Sequence, residues 1–337
     1  SVYVYDQEYT DAGRKKRRLG FISLARLEED RTKGFLPHER TFKGPKLDRL
    51  NLMKETGANL SPIFSILIDE NRKIINILKN FSGKKRPVFD VTFDGTRNRI
   101  WLMDDPGLIK RLKASVRGKR ALIADGHHRY EVALEYKRYM LRRGGQDALN
   151  YVMMYFATSD PSGLTILPTH RMVEGISAES FRRNLDKLGK FFDIMHTGSK
   201  DKMFARMRAK GRHAIGVYTG GRNYLCLSLK RRDASGLIKS KNSAYWRNLD
   251  VVILHRLVFE KIFGIRGEKA ERMISFTRDP QAAFEWAASG VGRAAFFLKP
   301  PVFDEIKNIV KHRERMPHKT TYFYPKPPSG MVINKII

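Results

Sequence analysis

Apolar and polar positions along this chain follow two periods, and the switches between them mark out its elements. Residues 1–10 and 19–25 read as strands joined by a basic turn. A polar cluster, Leu36-Pro37-His38-Glu39-Arg40-Thr41, precedes a charged helical stretch at about 45–55. Asn59 to Ile68 has strand character, and Ile74 to Asn80 fits a short helix. Val88-Phe89-Asp90-Val91-Thr92-Phe93 alternates as a half-buried strand does, and Arg99 to Met103 answers it across a turn at 94–98. A helix is predicted over 106–116. The apolar run from Ala121 stops at Asp125-Gly126, where a second helix begins and runs to about Arg143, with Gly144-Gly145 as its cap.

Tyr151 to Ala157 is a dense apolar strand, and Leu164 to Arg171 a second one that ends in polar groups. Beyond about 176 the spacing predicts helices at 180–188, 199–209, 250–262, 280–289 and 302–313. Strands are expected at 191–195, 212–218, 223–229, 274–276 and 293–298. No regular βαβ repeat appears, so the expected class is α+β, with mixed sheets and packed helices. The expected domains are 1–174 and 175–315, followed by a tail, 316–337, placed to return to the first domain. The opening Ser1-Val2-Tyr3-Val4-Tyr5 reads as a strand already under way, which leads us to expect a missing N-terminal piece.

The strand-turn-helix at Ala121-Leu122-Ile123-Ala124-Asp125-Gly126-His127-His128-Arg129 carries the most chemistry. A helix start presents unpaired backbone N–H groups and the positive end of the dipole, which suits a phosphate or carboxylate. Gly126 allows the sharp reversal. Arg129 offers a planar fork to two phosphate oxygens, with a structural salt bridge to Glu131 or Glu39 as the alternative. Asp125 is open between an N-cap, a metal contact and an orienting group for His127 or His128. The adjacent histidines lack the i, i+4 spacing of a helical zinc pair. His38, Glu39, Arg40 and Thr41 set a base, a carboxylate, a cation and a hydroxyl side by side; a surface loop is the alternative. His170 and Arg171 end a strand, where ligand groups are often displayed. Lys319, Thr320, Tyr322 and Lys326 concentrate donors near the C-terminus, either to neutralise a phosphate or to dock an edge strand. His255 fits a core or interface histidine.

Composition narrows these readings. The 337 residues suffice for two domains, and a net charge of +30 raises nucleic acid, nucleotides or acidic surfaces as partners. The basic runs 14–18, 84–86 and 230–232 fit solvated turns, without the aromatic interleaving of a stacking platform. Cys226 is the only cysteine, so a disulfide framework is excluded and a cytoplasmic compartment expected. No apolar run is long enough to span a membrane. Neither a P-loop nor a Rossmann fingerprint is present.

Five segments together resemble the DUF1015 family of bacterial and archaeal proteins: Leu36–Thr41, Ile123–Glu131, Leu167–Arg171, Asn248–His255 and Met316–Lys326. Members carry a further N-terminal segment with a Pro-Pro-Tyr-Asp motif, which is not found here. The Asp-Gly-His-His-Arg unit is also similar to one in the ParB and sulfiredoxin-like superfamily, which includes free-serine kinases. That resemblance implies phosphate handling by Gly126, His127, His128 and Arg129, and an acidic base that no residue here matches. The leading expectation is a nucleotide-dependent small-molecule phosphotransferase using ATP or ADP, with Mg2+ compatible and a serine-like alcohol as acceptor. Its expected catalytic residues are His38, Glu39 and His128. Asp125, Gly126, His127, Arg129, Lys319 and Lys326 would bind cofactor; Arg40, Thr41, His170, Arg171, Thr320 and Tyr322 would bind substrate. The alternatives are a nucleic-acid-binding or nucleotide-switched regulator and a non-catalytic metabolite sensor.

Overall fold

A strand forms where the basic turn was expected. β1 (Val2–Asp11) and β2 (Arg14–Arg26) pair antiparallel from Tyr3↔Ile22 to Asp11↔Arg14, so the reversal takes only Ala12 and Gly13, both at positive φ. The computed structural model describes residues 1–29, 34–38, 43–144 and 146–336. The cluster 14–18 sits inside β2 because β1 supplies acids against it: Lys16 Nζ meets Asp11 at 2.7 Å, and Arg17 Nε meets Asp6 at 2.8 Å. Strand alternation then turns Arg18 inward, leaving it only 1% exposed.

The fold is α+β, as expected. The chain divides into two compact units, Ser1–Thr165 with Phe323–Ile337, and Ile166–Tyr322. In the first unit the further strands are β3 (Phe35–Pro37), β4 (Ala58–Asn59), β5 (Ile63–Leu67), β6 (Phe89–Phe93), β7 (Thr96–Met103), β8 (Ala121–Asp125) and β9 (Tyr151–Thr158). Eight of them form one mixed sheet in the order β3-β8-β5-β9-β2-β1-β7-β6. The β3–β8 and β5–β9 pairs are parallel, and the other neighbours antiparallel. The expected strand from Asn59 is interrupted: Ala58-Asn59 pairs instead with Asn334-Lys335, and β5 starts only after Ser61-Pro62. Helices α1 (Lys43–Thr56), α2 (Lys73–Ser82), α3 (Pro106–Val116) and α4 (His127–Leu141) accompany the sheet, with α1 packed on α4. Ile63, Leu67, Leu78, Trp101, Ile123, Tyr130, Leu134 and Phe156 belong to the shared core.

In the second unit, Pro168 and Thr169 split the expected strand 164–171 into β10 (Thr165–Leu167) and β11 (His170–Glu174); proline has no N–H to continue a ladder. An antiparallel sheet follows, with β12 (Phe192–His196), β13 (Ala214–Tyr218), β14 (Tyr224–Leu229), β15 (Ile274–Thr277) and β16 (Arg293–Phe297) in the order β12-β14-β13-β16-β11-β15. The long apolar helix is α-helical over Asp250–Ile253 and widens to a π-helix over Leu254–Ile262. Among the described residues no helix is long and apolar enough to cross a membrane.

Candidate anion-binding site

The β8–α4 junction forms as its sequence dictates. Four buried apolar residues of β8 lead to half-buried Asp125, and Gly126 reverses the chain at φ 97°, ψ 25°, a left-handed conformation that glycine adopts without a steric cost. Gly126 is the N-cap of α4, and among the described residues no side chain caps the helix. Asp125 is therefore not the cap that one sequence reading assigned to it. Its oxygens serve two cations: Oδ2 accepts from Arg129 Nη2 at 2.7 Å, and Oδ1 accepts from Lys326 Nζ.

Arg129 forms its salt bridge with Asp125, while Glu131 pairs with Lys46. Arg129 Nη1 also donates to Ser61 Oγ at 2.8 Å and to the Pro62 carbonyl at 2.6 Å. The guanidinium lies against the glycine: a Cβ built on Gly126 would stand 3.0 Å from Arg129 Nε and Nη2. Burial lowers the Arg129 pKa below arginine's ordinary value, while Asp125 acts to raise it. Asp125, Gly126 and Arg129 all remain partly exposed, so the turn is open to solvent.

The two histidines at the start of α4 point to different surroundings. His127 is buried, and its Nε2 accepts from the His38 backbone N–H at 3.3 Å, which puts the ring proton on Nδ1. The His38 and His127 rings meet edge to face at 4.7 Å, and Phe323 closes on the other side of His38 at 6.0 Å. Burial pushes His38 down from histidine's usual 6.5 to about 4, against the opposing pull of the Ile123 backbone and Asp125. At 1% exposure His38 is a neutral ring sealed from solvent, which suits positioning His127 better than exchanging protons with a substrate. His128 is half-buried. Burial lowers its pKa, Glu131 opposes that, and Lys46 and Arg49 on α1 add to the lowering. Lys46 forms an ion pair with Glu131. Glu39, Arg40 and Thr41 lie outside the described residues.

The tail segment that carries Lys326 is held by side chains sequence reasoning passed over. Arg18 Nη1 donates to the Tyr324 carbonyl at 3.0 Å, and Nη2 donates to the Pro325 carbonyl and to Gln7 Oε1. Arg18 also stacks over Phe64 at 4.5 Å. Its signal in the sequence was parity: it shares a strand face with Lys16 and Gly20.

The remaining expected residues belong to the second unit. Arg171 donates from Nη1 to the Thr169 carbonyl and from Nη2 to the Lys319 carbonyl at 3.2 Å. His170 Nδ1 accepts from the Leu298 N–H at 3.4 Å, and burial lowers its pKa to about 4. Thr320 Oγ1 donates to the Pro317 carbonyl at 2.6 Å. Lys319 stands over the Phe276 ring, and Arg278 over the Tyr322 ring. His255 is half-buried in the π-helix with its Nε2 turned inward, and burial and the neighbouring Arg171 lower its pKa to about 3. Among the described residues, no group of three or more His, Cys, Asp or Glu side chains could hold a metal ion.

Residues 1–252 match the profile of a family described as protein of unknown function, DUF1015. The chain belongs to the DUF1015 family. No curated protein matches the sequence of this DUF1015 chain. Among solved structures it is similar to a mutant free serine kinase in complex with ADP, at 12% identity and TM-score 0.45, covering 93% of this chain and 92% of that one. A second mutant in complex with AMP gives 13% identity and TM-score 0.46 with the same coverage. SbnI with a C-terminal truncation, from Staphylococcus aureus, gives 12% identity and TM-score 0.43, covering 93% and 87%. No residue role is carried over from these remote likenesses.

Proposed function

We propose that the first unit binds the phosphates of a nucleotide, ATP or ADP, at the Gly126 turn and transfers a phosphoryl group to a small alcohol. One observation carries this reading: two cations, Arg129 and Lys326, converge on Asp125 beside a solvent-open glycine turn whose helix is capped by no side chain among the described residues. Asp125 holds the two cations in place at the turn, where an incoming phosphate would meet both. The Asp-Gly-His-His-Arg resemblance to ParB and sulfiredoxin-like proteins points the same way.

In this reading the backbone of His127, His128 and Arg129 faces the phosphates, and Lys326 neutralises charge that develops during transfer. The acceptor hydroxyl forms the new P–O bond, the bond to the nucleotide's bridging oxygen breaks, and the hydroxyl proton passes to a base. Glu39 or His128 fits that role better than sealed His38. Both Asp125 oxygens are engaged by cations, so Asp125 does not fit a Mg2+ ligand, and no step here runs through the metal.

Isothermal titration of ATP and ADP, followed by a phosphoryl-transfer assay with free serine and other small alcohols, tests the proposal. Arg129→Ala should weaken nucleotide binding about 10- to 100-fold, the scale of a lost charge-assisted hydrogen bond. Unchanged affinity in a folded Arg129→Ala protein overturns the site. Binding without product in any assay overturns the transferase and leaves a sensor.

A further inference from the structure

The second unit holds a feature that the proposed function leaves unused. Three segments singled out in the sequence, Leu167–Arg171, Asn248–His255 and Met316–Lys326, each contribute to the lining of one small cavity of about 30 Å³, through Thr169 and Arg171, through Asp250, and through Thr320. Lys299 and Glu305 complete its polar wall.

Arg171 is 1% exposed, and among the described residues both of its hydrogen-bond acceptors are neutral carbonyls. Its Nε–H has no hydrogen-bond partner among the described residues. Burial lowers its pKa to about 9, with no carboxylate acting to restore it. A buried guanidinium without a counter-charge is costly, and natural interiors pair such groups.

The carboxylates in the wall are committed elsewhere. Asp250 Oδ1 accepts from His213 Nδ1 at 2.8 Å and from the His213 backbone N–H at 3.1 Å. Glu305 Oε1 accepts from Arg212 at 3.0 Å, and Oε2 from the Val302 N–H at 3.0 Å. Among the described residues, Arg171 and Lys299 are therefore the wall's charges without an ionic partner, since Lys299 Nζ donates to the neutral Met207 carbonyl at 3.4 Å. The volume exceeds what one water needs and is too small for a nucleotide.

We propose that this cavity is a second, independent anion site that takes a small oxyanion, phosphate or carboxylate, on Arg171 with help from Lys299. The site is independent of the Gly126 reading and is tested with that turn disabled. In the full chain carrying Arg129→Gln, thermal-shift titrations with inorganic phosphate and with acetate, at ionic strength matched with chloride, are the measurement. At least one anion should stabilise the protein in a saturable way, and the responding one identifies the head group. Lys299→Met, at a partly exposed position that need not disturb the fold, should weaken that response about tenfold, the scale of one lost charge-assisted bond. Arg171→Gln should abolish it. No saturable response to either anion, or a response that survives both Lys299→Met and Arg171→Gln, overturns the site.

Discussion

Arg129, in the first turn of α4, and Arg171, at the start of β11, each follow a histidine, yet the two units treat them in opposite ways. Arg129 is compensated by Asp125, four residues away, and shares that carboxylate with Lys326. Among the described residues the hydrogen bonds of Arg171 go only to carbonyls, and Asp250 and Glu305 in its cavity wall are engaged by His213 and Arg212. A charge neutralised from within the chain can sit half-exposed and still be fixed in place. A charge left without a counter-ion in the interior calls for one from solution.

The largest effect expected is one the two units share. His38 and His170 are both buried and held near 4, below histidine's usual 6.5. The unfolded chain takes up protons first as pH falls, so their contribution to stability is complete above about 6.5 and is lost on acidification toward 4. Each ring accounts for on the order of 3 kcal/mol by this linkage. Urea midpoints should fall steeply over that window, and His38→Gln and His170→Gln should each flatten the slope. A flat profile in the parent protein contradicts the burial of both rings.

Next in size, Asp125→Ala should make the first unit resemble the second, by stranding Arg129 and Lys326. We expect a loss of about 2 kcal/mol, below the range for fully buried pairs because these side chains are partly solvated. Added phosphate should restore part of it by taking the carboxylate's place. No phosphate-dependent recovery in chemical denaturation would show that the turn does not attract anions.

Gly126→Ala should cost about 1–2 kcal/mol through its left-handed backbone. It should also push the guanidinium of Arg129 outward, so nucleotide affinity should fall with stability. Smallest of all, Lys326→Ala removes a side chain that is 40% exposed and should change stability by no more than about 0.5 kcal/mol. Its effect should appear in nucleotide affinity, so a variant that loses stability but keeps affinity assigns Lys326 a purely structural part.

The β8–α4 junction was legible because periodicity, a glycine and a polar first turn all point to the same local geometry. Arg129's partner was not: Ser61, Pro62 and Asp125 come together through β5–β8 pairing and the i, i+4 geometry of the junction, and the sequence equally allowed Glu131. Arg18 was misread with its neighbours because a run of five basic residues resembles a solvated turn. Only the acids on β1 make a strand of it, and only strand parity turns that one side chain inward. The cavity around Arg171 was equally hidden, since it joins residues 169, 250, 299 and 320, which no local pattern links.

Arg18 takes its acceptors from Tyr324 and Pro325, more than 300 positions downstream. During synthesis the first unit's sheet can be fully translated while this guanidinium still lacks those partners. The Arg18 contacts therefore close only once residue 325 has been made. A fusion or cleavage that displaces that stretch would undo an interior contact formed at the opposite end of the sequence.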